Sequence, residues 1–335
     1  MHMRTKTRIN FQQISIETNP YIEAMGVLFH LADYQRNETR HNERYKTDIQ
    51  AFFAKFKTHS AVLHTKRLMQ ENMYVRYNAP VEIMLYSFFH KSLPKLFYKE
   101  HSITKKEVKL WVRFVKLFIR QSHFMQFYYA HEPYYVHNMQ TYAQTMQPFS
   151  PQNFLFSFLG TRSKNLHIIC MHGLTTSNYG IRVGKQLYCC IRPYKETRFA
   201  NEVDFACNLP YSTSLVLHEF AHSFINPLTH SYKKQLQNVS PLCFASIFEK
   251  QAYGNHIETA INESIIRSIE CLYIETFFTN KEAQVFLENY IQEGFTNIPK
   301  LIHIFKNEYM LNRKTYPTIK DFYPKLLKTL CCSTK

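Results

Sequence analysis

Five consecutive residues, His218-Glu219-Phe220-Ala221-His222, place two imidazoles and a carboxylate at helical spacing. Residues four apart lie on the same face of a helix, so His218 and His222 can bind one Zn²⁺ ion. Glu219 follows the first imidazole directly and can reach a water molecule on that metal. The chemistry that this spacing predicts is hydrolysis, with Glu219 as the general base.

The sequence around this motif favours a buried helix that carries charge only at the motif. Residues 212–217 and 223–225 are uncharged, and most of them are apolar. A buried imidazole or carboxylate is costly unless it is paired or ligated, and a metal ion removes that cost. The simpler alternative is a structural cluster of hydrogen-bonded side chains. The apolar surroundings favour a zinc site over this alternative.

Both ends of the motif helix can be predicted from nearby residues. Pro210 is a start signal, and Ser212 or Ser214 can cap the first backbone N–H groups. Asn226-Pro227 is predicted to stop the helix. Because this stop comes so soon after His222, the third metal ligand has to return from a more distant part of the chain.

The third ligand is predicted to come from a second long helix, between His256 and Phe278. A metzincin would have Gly at position 225 and a third histidine at position 228. This chain has Ile225 and Leu228, so the metzincin type is excluded. The second helix has an apolar stripe at spacings of three and four residues, and Glu263 lies on another face. Glu263 follows His222 by 41 residues, which allows two helices joined by a loop to be neighbours. We therefore predict Glu263 as the third ligand.

Three other residues of the second helix could supply that ligand, namely Glu258, His256 and Glu270. Simpler roles are predicted for them. Glu258 would be an exposed helix charge, His256 would lie near the helix start, and Glu270 would form a salt bridge with Arg267. Arg267 also lies four residues after Glu263. It either orients the ligand carboxylate by a hydrogen bond or forms an ordinary surface pair with it.

The five-residue motif together with Asn262-Glu263 resembles the gluzincin class of zinc metalloproteases, which is thermolysin-like in its active-site helices. The longer segment His218–Pro227 resembles a bacterial family of predicted peptidases of unknown function. The resemblance implies zinc ligation by the two motif histidines and Glu263, with the carboxylate between the histidines as the base. Arg267 departs from the gluzincin pattern, which often has an acidic residue four positions after the third ligand. The residues that contact the metal ligands are therefore expected to differ.

The expected function is zinc-dependent hydrolysis of peptide bonds. Glu219 would take a proton from the zinc-bound water as this water attacks the carbonyl, and would then pass it to the leaving amine. Tyr253, His256, His230 and Tyr232 are candidate donors to the oxyanion, and the sequence does not choose among them. Two alternatives are a non-catalytic zinc-binding domain that recognises a partner and a basic helical protein that binds nucleic acid. The first of these would not need Glu219.

The elements around the site are predicted to form a mostly helical α+β fold. The most β-like part of the chain precedes the motif, with strands at residues 165–171, 179–183 and 186–192 and glycines between them. An edge strand of this small sheet could align an extended substrate. Elsewhere, apolar residues at spacings of three and four predict helices. These helices cover residues 21–34, 47–69, 105–129, 281–293 and 319–330.

Two prolines, Pro148 and Pro151, suggest a domain boundary. Residues 1–150 would then form a helical N-terminal region and residues 151–335 a zincin-like catalytic region. The two regions can also form one continuous domain, because 335 residues suffice for a single large core.

Composition bears on partners and on cellular location. The formal net charge of +16 favours acidic partners, whether acidic peptide or protein substrates, nucleic acid or anionic surfaces. The basic residues are scattered without a Lys/Arg block, so no specific nucleic acid is expected.

Eight cysteines without a C-x-x-C pair favour free thiols over a second metal site. No apolar run has the length of a transmembrane helix, and as written the chain is expected to be cytoplasmic, or extracytoplasmic if a leader has been removed. The sequence does not determine the oligomeric state.

Overall fold

The computed structural model describes residues 7–34, 43–71, 78–163, 165–174, 177–196, 203–206, 208–237, 239–251 and 256–331. The chain is mostly helical and contains a small five-stranded mixed sheet, which confirms the predicted α+β class. It divides into two compact units. The first, called the sheet unit, comprises Met1–Thr145 and Asn165–Cys207. The second, called the helical unit, comprises Met146–Lys164 and Asn208–Lys335.

This division groups the predicted strands differently from the boundary proposed at residue 150. The strands between residues 165 and 207 belong with the N-terminal residues in the sheet unit. The boundary at residue 150 would instead place them with the zinc-binding motif. Any role of an edge strand in aligning substrate therefore stays a prediction.

The sheet unit opens with two strands that the sequence analysis did not predict, β1 (Thr7–Phe11) and β2 (Ile14–Thr18). Eight helices in the described ranges follow. They are α1 (Pro20–Leu31), α2 (Glu43–Phe53), α3 (Ser60–Glu71), α4 (Ala79–Phe88), α5 (Lys95–Glu100), α6 (Lys105–Gln121), α7 (Phe124–Ala130) and α8 (Glu132–Met146).

Two of the predicted helices are each divided in the structure. The helix predicted over residues 47–69 consists of α2 and α3, with a short 3₁₀ turn at Ala54–Phe56 between them. The helix predicted over residues 105–129 consists of α6 and α7. His123 separates these two, because its φ of 56° is a left-handed conformation that interrupts a right-handed helix.

The three predicted strands are present as β3 (Leu166–Cys170), β4 (Tyr179–Val183) and β5 (Gln186–Ile191). The strand order of the sheet is β1-β2-β3-β5-β4. The outer pairs, β1–β2 and β4–β5, are antiparallel, whereas β3 pairs in parallel with β2 and β5. Every residue of β3 is buried, as is typical of a strand between two parallel neighbours. Short strands β6 (Lys195–Glu196) and β7 (Val203–Asp204) form a separate antiparallel pair.

The helical unit is built around two long helices that pack against each other, α10 (Leu209–Ser231) and α13 (Ile257–Phe277). Their contact buries an apolar core that includes Phe220, Ile261 and Ile265. Shorter helices surround this pair. They are α9 (Pro151–Leu159), α11 (Lys233–Leu236), α12 (Ala245–Lys250), α14 (Asn280–Gln292), α15 (Ile298–Ile304) and α16 (Ile319–Cys331).

The predicted start of the motif helix α10 was right for Pro210, which lies in the first turn, but wrong for the capping residue, and the predicted end was wrong. Asn208 caps its start, since its side-chain oxygen accepts a hydrogen bond from the Tyr211 N–H at 3.2 Å, and Ser212 and Ser214 lie buried inside the helix. At the other end, α10 continues through Pro227 to Ser231. A proline inside a helix costs about 3 kcal/mol. Buried contacts of the last turn with α13 offset this cost.

Two smaller findings concern the thiols and the membrane. The cysteines described as free are Cys170, Cys189, Cys190, Cys243 and Cys271, and all but Cys243 are buried. Free thiols were predicted for this chain. Among the helices in the described ranges, none is both long enough and apolar enough to cross a membrane.

Candidate metal centre

Helix α10 presents the two motif histidines on one face, one turn apart. The side chains of His218 and His222 are only 13% and 17% exposed. Their Nε2 atoms lie 3.0 Å from each other. Two ring nitrogens from the same helix face therefore point at one location, as the i, i+4 spacing predicts.

Helix α13 brings the carboxylate of Glu263 to the same location. Its Oε2 lies 3.6 Å from His218 Nε2, and its Oε1 lies 3.4 Å from His222 Nε2. One ligand atom from each of the three residues can be chosen such that all lie within 4.8 Å of one another. Ligands at tetrahedral angles around zinc, with bonds of about 2.0–2.1 Å, are separated by about 3.3 Å. The shortest distances among the three side chains, 3.0, 3.4 and 3.6 Å, are near this value, with one Glu263 oxygen facing each imidazole.

A buried polar contact fixes the crossing of the two helices near Glu263. The hydroxyl of Thr229 in the last turn of α10 is within hydrogen-bond distance of Asn262 Oδ1 in α13. The hydroxyl of Tyr323 in α16 also contacts Thr229. Thr229 is fully buried, so this contact exists only because α10 continues beyond Pro227. Asn262, the polar residue next to Glu263, thus holds α13 in register with α10.

The outer nitrogens of both imidazoles face hydrogen-bond acceptors. His218 Nδ1 lies 2.9 Å from Glu270 Oε2, and His222 Nδ1 lies 3.1 Å from Asn226 Oδ1. An acceptor opposite Nδ1 favours the tautomer that carries its proton on Nδ1. In the neutral form of that tautomer, which a metal ion requires, each Nε2 has a lone pair and no proton. Two lone pairs and a carboxylate then converge, which is the arrangement of a cation site.

Glu270 is the residue whose predicted role was wrong. The prediction paired it with Arg267, whereas its carboxylate accepts hydrogen bonds from His218 Nδ1 and from the Tyr290 hydroxyl at 3.1 Å. Arg267 pairs with other carboxylates, and Glu270 is only 3% exposed. The sequence favoured Arg267 as its partner because the two residues are neighbours on α13, but tertiary packing places His218 against Glu270.

Arg267 contacts the carboxylate of Glu263, the predicted third ligand, from a largely buried position. Its Nε lies 3.4 Å from Glu263 Oε2, and its Nη1 lies 3.2 Å from Glu293 Oε2. Its guanidinium lies between the rings of Tyr290 and Phe295, 4.6 and 4.5 Å from their centroids. Because this side chain is only 15% exposed, the alternative of an ordinary surface pair does not apply. Stacked and ion-paired, the guanidinium is held in one orientation.

The charges of the three converging side chains are strongly coupled. Burial raises the pKa of Glu263. The charges of His218, His222 and Arg267 lower it by a larger amount, so the pKa of Glu263 is below its ordinary value. Burial lowers the pKa of His222, and this effect exceeds the opposing effect of Glu263. Burial also lowers the pKa of His218, but Glu270 and Glu263 outweigh it and raise this pKa to about 9. The carboxylates therefore place a negative field around the imidazoles, which stabilises a cation there.

Glu219 lies beside the first ligand on α10 and is 7% exposed. Its negative charge is close enough to contribute to the raised pKa of His218. Glu219 is thus a further carboxylate near His218, in addition to Glu263 and Glu270.

The other candidates from the sequence lie elsewhere or have other partners. Glu258 is partly exposed and pairs with His230 Nδ1 at 3.1 Å. His256 is exposed and lies directly before the start of α13, near the helix start as predicted, without a side-chain capping hydrogen bond. The ring of Tyr232 packs against the ring of Tyr323. The remaining oxyanion candidate, Tyr253, lies outside the described residues.

Comparison with known proteins gives a family for this chain. Residues 92–329 match the model of a domain of unknown function, DUF4932, and this match covers well over half of the sequence. The chain belongs to the DUF4932 family. The DUF4932 region includes α10 and α13 and therefore all residues of the candidate metal centre. No curated protein and no solved structure matches the chain. The resemblance to gluzincins stays a prediction.

Proposed function

We propose that this DUF4932 protein is a zinc-dependent metallopeptidase that hydrolyses peptide bonds, with Glu219 as the general base. One observation carries the proposal. The Nε2 atoms of His218 and His222 converge with the Glu263 carboxylate, while acceptors hold both Nδ1 atoms. Two imidazole nitrogens and a carboxylate that converge in a buried place favour a cation between them. In the metal-free protein the raised pKa of His218 supplies a proton there, and zinc binding would displace that proton.

The donor set supports zinc as that cation. Two imidazoles and one carboxylate are a set found in catalytic zinc sites, which keep a fourth position open. Mg²⁺ and Ca²⁺ prefer oxygen ligands, so two ring nitrogens disfavour them. Zinc in such a site supplies Lewis-acid activation of a carbonyl and of water.

The carboxylate between the two histidines supports catalysis over simple metal binding. Glu219 would accept the proton of the attacking water and then donate it to the leaving amine. A domain that only bound zinc to recognise a partner would not need a buried carboxylate at this position. Glu270 and Arg267 would hold His218 and Glu263 in the geometry that the metal requires. The substrate class is peptide or protein, and the net charge of +16 favours acidic sequences.

The test combines a metal measurement with a cleavage assay. Bound zinc is determined by elemental analysis, and the wild type and Glu219→Gln are then incubated with a mixed peptide library. Glu219→Gln should keep its zinc and lose about 10²–10⁴-fold in cleavage rate, the usual contribution of a general base. Glu249→Gln is the matched control, since it makes the same change at an exposed residue of the helical unit. It should cleave like the wild type.

Two results would reject the proposal in different ways. Equal cleavage by the wild type and Glu219→Gln would remove the assigned role of the base. Bound zinc without any cleavage by the wild type would favour the alternative function, a zinc-binding domain that recognises a partner.

A further inference from the structure

Helix α6 of the sheet unit gathers basic residues that are scattered in the sequence. Lys105, Lys109, Arg113, Lys116 and Arg120 follow one another at spacings of three and four residues, and all five are exposed. At about 100° per residue, these positions fall within one narrow arc of the helix. The row extends over about 22 Å, from a rise of about 1.5 Å per residue.

The opposite face of α6 fixes the direction in which this row points. Val108, Trp111, Val115, Phe118 and Ile119 are buried on that face and anchor the helix in the core of the sheet unit. The basic arc therefore faces away from this core.

The positive charge of this row is not neutralised within the described part of the chain. None of the five side chains forms an ion pair there, in contrast to Lys66 and Arg67 of the neighbouring α3, which pair with Asp33 and Glu71. The acidic residue of α6, Glu107, belongs to the N-terminal capping box with Thr104. A row of uncompensated positive charges favours an anionic partner.

The residues that flank the row indicate what kind of anionic partner fits. Leu110 is 40% exposed and Leu117 is partly exposed, and both lie at one border of the basic arc. Apart from Gln121 at its end, α6 has no Ser, Thr, Asn or Gln, the uncharged side chains that usually contact nucleic-acid backbones and bases. Its aromatic residues lie on the other faces, so the arc has no platform for stacking bases. Lysine and arginine bordered by leucine are typical of helices that bind anionic lipid headgroups.

We propose that the exposed basic face of α6 docks the protein onto an anionic lipid surface. The five charges would contact the headgroups, and Leu110 would contact the boundary of the acyl chains. Because the apolar face of α6 is used in the core, attachment would be peripheral, reversible and sensitive to salt. This inference does not depend on the proposed peptidase activity.

The experiment is cosedimentation of the full chain with lipid vesicles. The wild type should bind vesicles of phosphatidylcholine and phosphatidylserine, should not bind vesicles of phosphatidylcholine alone, and should dissociate at high salt. The triple variant Lys109→Gln, Arg113→Gln, Lys116→Gln should bind about a hundredfold more weakly, since each charge near the surface contributes about fivefold. All three residues are exposed, so the variant should fold.

A second triple variant separates the α6 face from the total charge. Lys281→Gln, Lys314→Gln and Lys320→Gln remove the same three charges from exposed positions of the helical unit and should leave binding nearly unchanged. Equal losses in the two triple variants would overturn the proposal, as would a wild type that does not bind phosphatidylserine. Duplex DNA is tested in parallel. If it binds more tightly than the vesicles and depends on the same α6 residues, the surface is a nucleic-acid interface and the lipid proposal is wrong.

Discussion

Each of the two units buries a carboxylate near a histidine, but the two carboxylates are surrounded differently. In the sheet unit, Glu23 accepts hydrogen bonds from the backbone N–H groups of His172 and Gly173, at 2.8 and 2.9 Å, and from the Tyr45 hydroxyl at 3.0 Å. Donors thus surround this carboxylate. In the helical unit, Glu263 faces the Nε2 atoms of His218 and His222, whose Nδ1 atoms lie against other acceptors. Acceptors there converge on one location.

The difference separates a structural acid from a candidate metal ligand. Glu23 ties α1 to the residues that follow β3, and its hydrogen bonds are satisfied within the fold. Burial lowers the pKa of the neighbouring His172 to about 3, so that imidazole is neutral. The centre around Glu263 brings together two imidazole nitrogens and a carboxylate that could bind one cation. Burial and titratable groups are common to both clusters, and only the direction of the donors and acceptors distinguishes them.

The largest expected effect that would test this contrast is on zinc affinity. Glu263→Ala removes one of three ligands, so affinity should fall by more than the roughly 100-fold that loss of an outer-shell partner costs. Competition with a chromogenic zinc chelator measures this change. Glu23→Gln changes the buried acid of the sheet unit and should bind zinc like the wild type. Wild-type affinity in Glu263→Ala would mean that the third ligand is another residue.

A smaller effect is expected from Glu270, which contacts the proposed ligand His218 and is not itself a proposed ligand. Glu270→Ala should weaken zinc binding about 10- to 100-fold, because His218 loses the acceptor that fixes its tautomer and orientation. Glu270→Gln should recover part of this loss, since its amide oxygen can still accept the Nδ1 proton. The same chelator competition applies to both variants. If Glu270→Ala and the wild type bind equally, the contact with His218 does not position the ligand.

The smallest expected effect concerns how the stability of the sheet unit depends on pH. Burial raises the pKa of Glu23 to about 7 from 4.5, against the opposing hydrogen bonds from His172, Tyr45 and Gly173. The folded state therefore binds this proton more tightly than the unfolded state does. The stability contributed by protonation is complete below about pH 4.5 and is lost as the pH rises through about 7.

Urea unfolding of the wild type and Glu23→Gln at several pH values measures this dependence. Between about pH 5 and pH 7.5, the wild type should lose about 2 kcal/mol more unfolding free energy than the variant does. The variant should also be less stable at every pH, because its amide has a single acceptor oxygen for three donors. Parallel pH profiles would show that Glu23 does not titrate in this range.

Local patterns in the sequence were enough to predict much of the fold. The isoleucine stripe predicted α13 to within a residue at each end, and the strands β3, β4 and β5 followed from short apolar runs between glycines. The strands β1 and β2 were missed because their pairing is not local. Strand β2 is completed by a parallel partner, β3, about 150 residues later in the chain.

The candidate site could be predicted only as far as spacing along a helix reveals it. His218 and His222 were identified from their spacing and their apolar surroundings. Glu263 was identified also from the resemblance of Asn262-Glu263 to the third-ligand helix of gluzincins, and the structure brings the three residues together. The partners of these residues come from tertiary packing, as Glu270 shows, since it lies 52 residues after His218 in the chain. The sequence analysis also ended α10 at Pro227. The buried contact between Thr229 and Asn262 stabilises the last turn of the helix, but it joins two distant segments and is not visible in the local sequence. The basic face of α6 was overlooked for another reason: its charges are three to four residues apart and form no block in the sequence.

The zinc content of the wild-type protein tests the central claim most directly. The full chain is equilibrated with zinc, passed over a desalting column and measured by elemental analysis. The convergence of His218, His222 and Glu263 predicts about one tightly bound zinc ion per chain, removed by a chelator and restored on adding zinc back. A correctly folded protein that retains no zinc would contradict the assignment of this cluster as a metal centre.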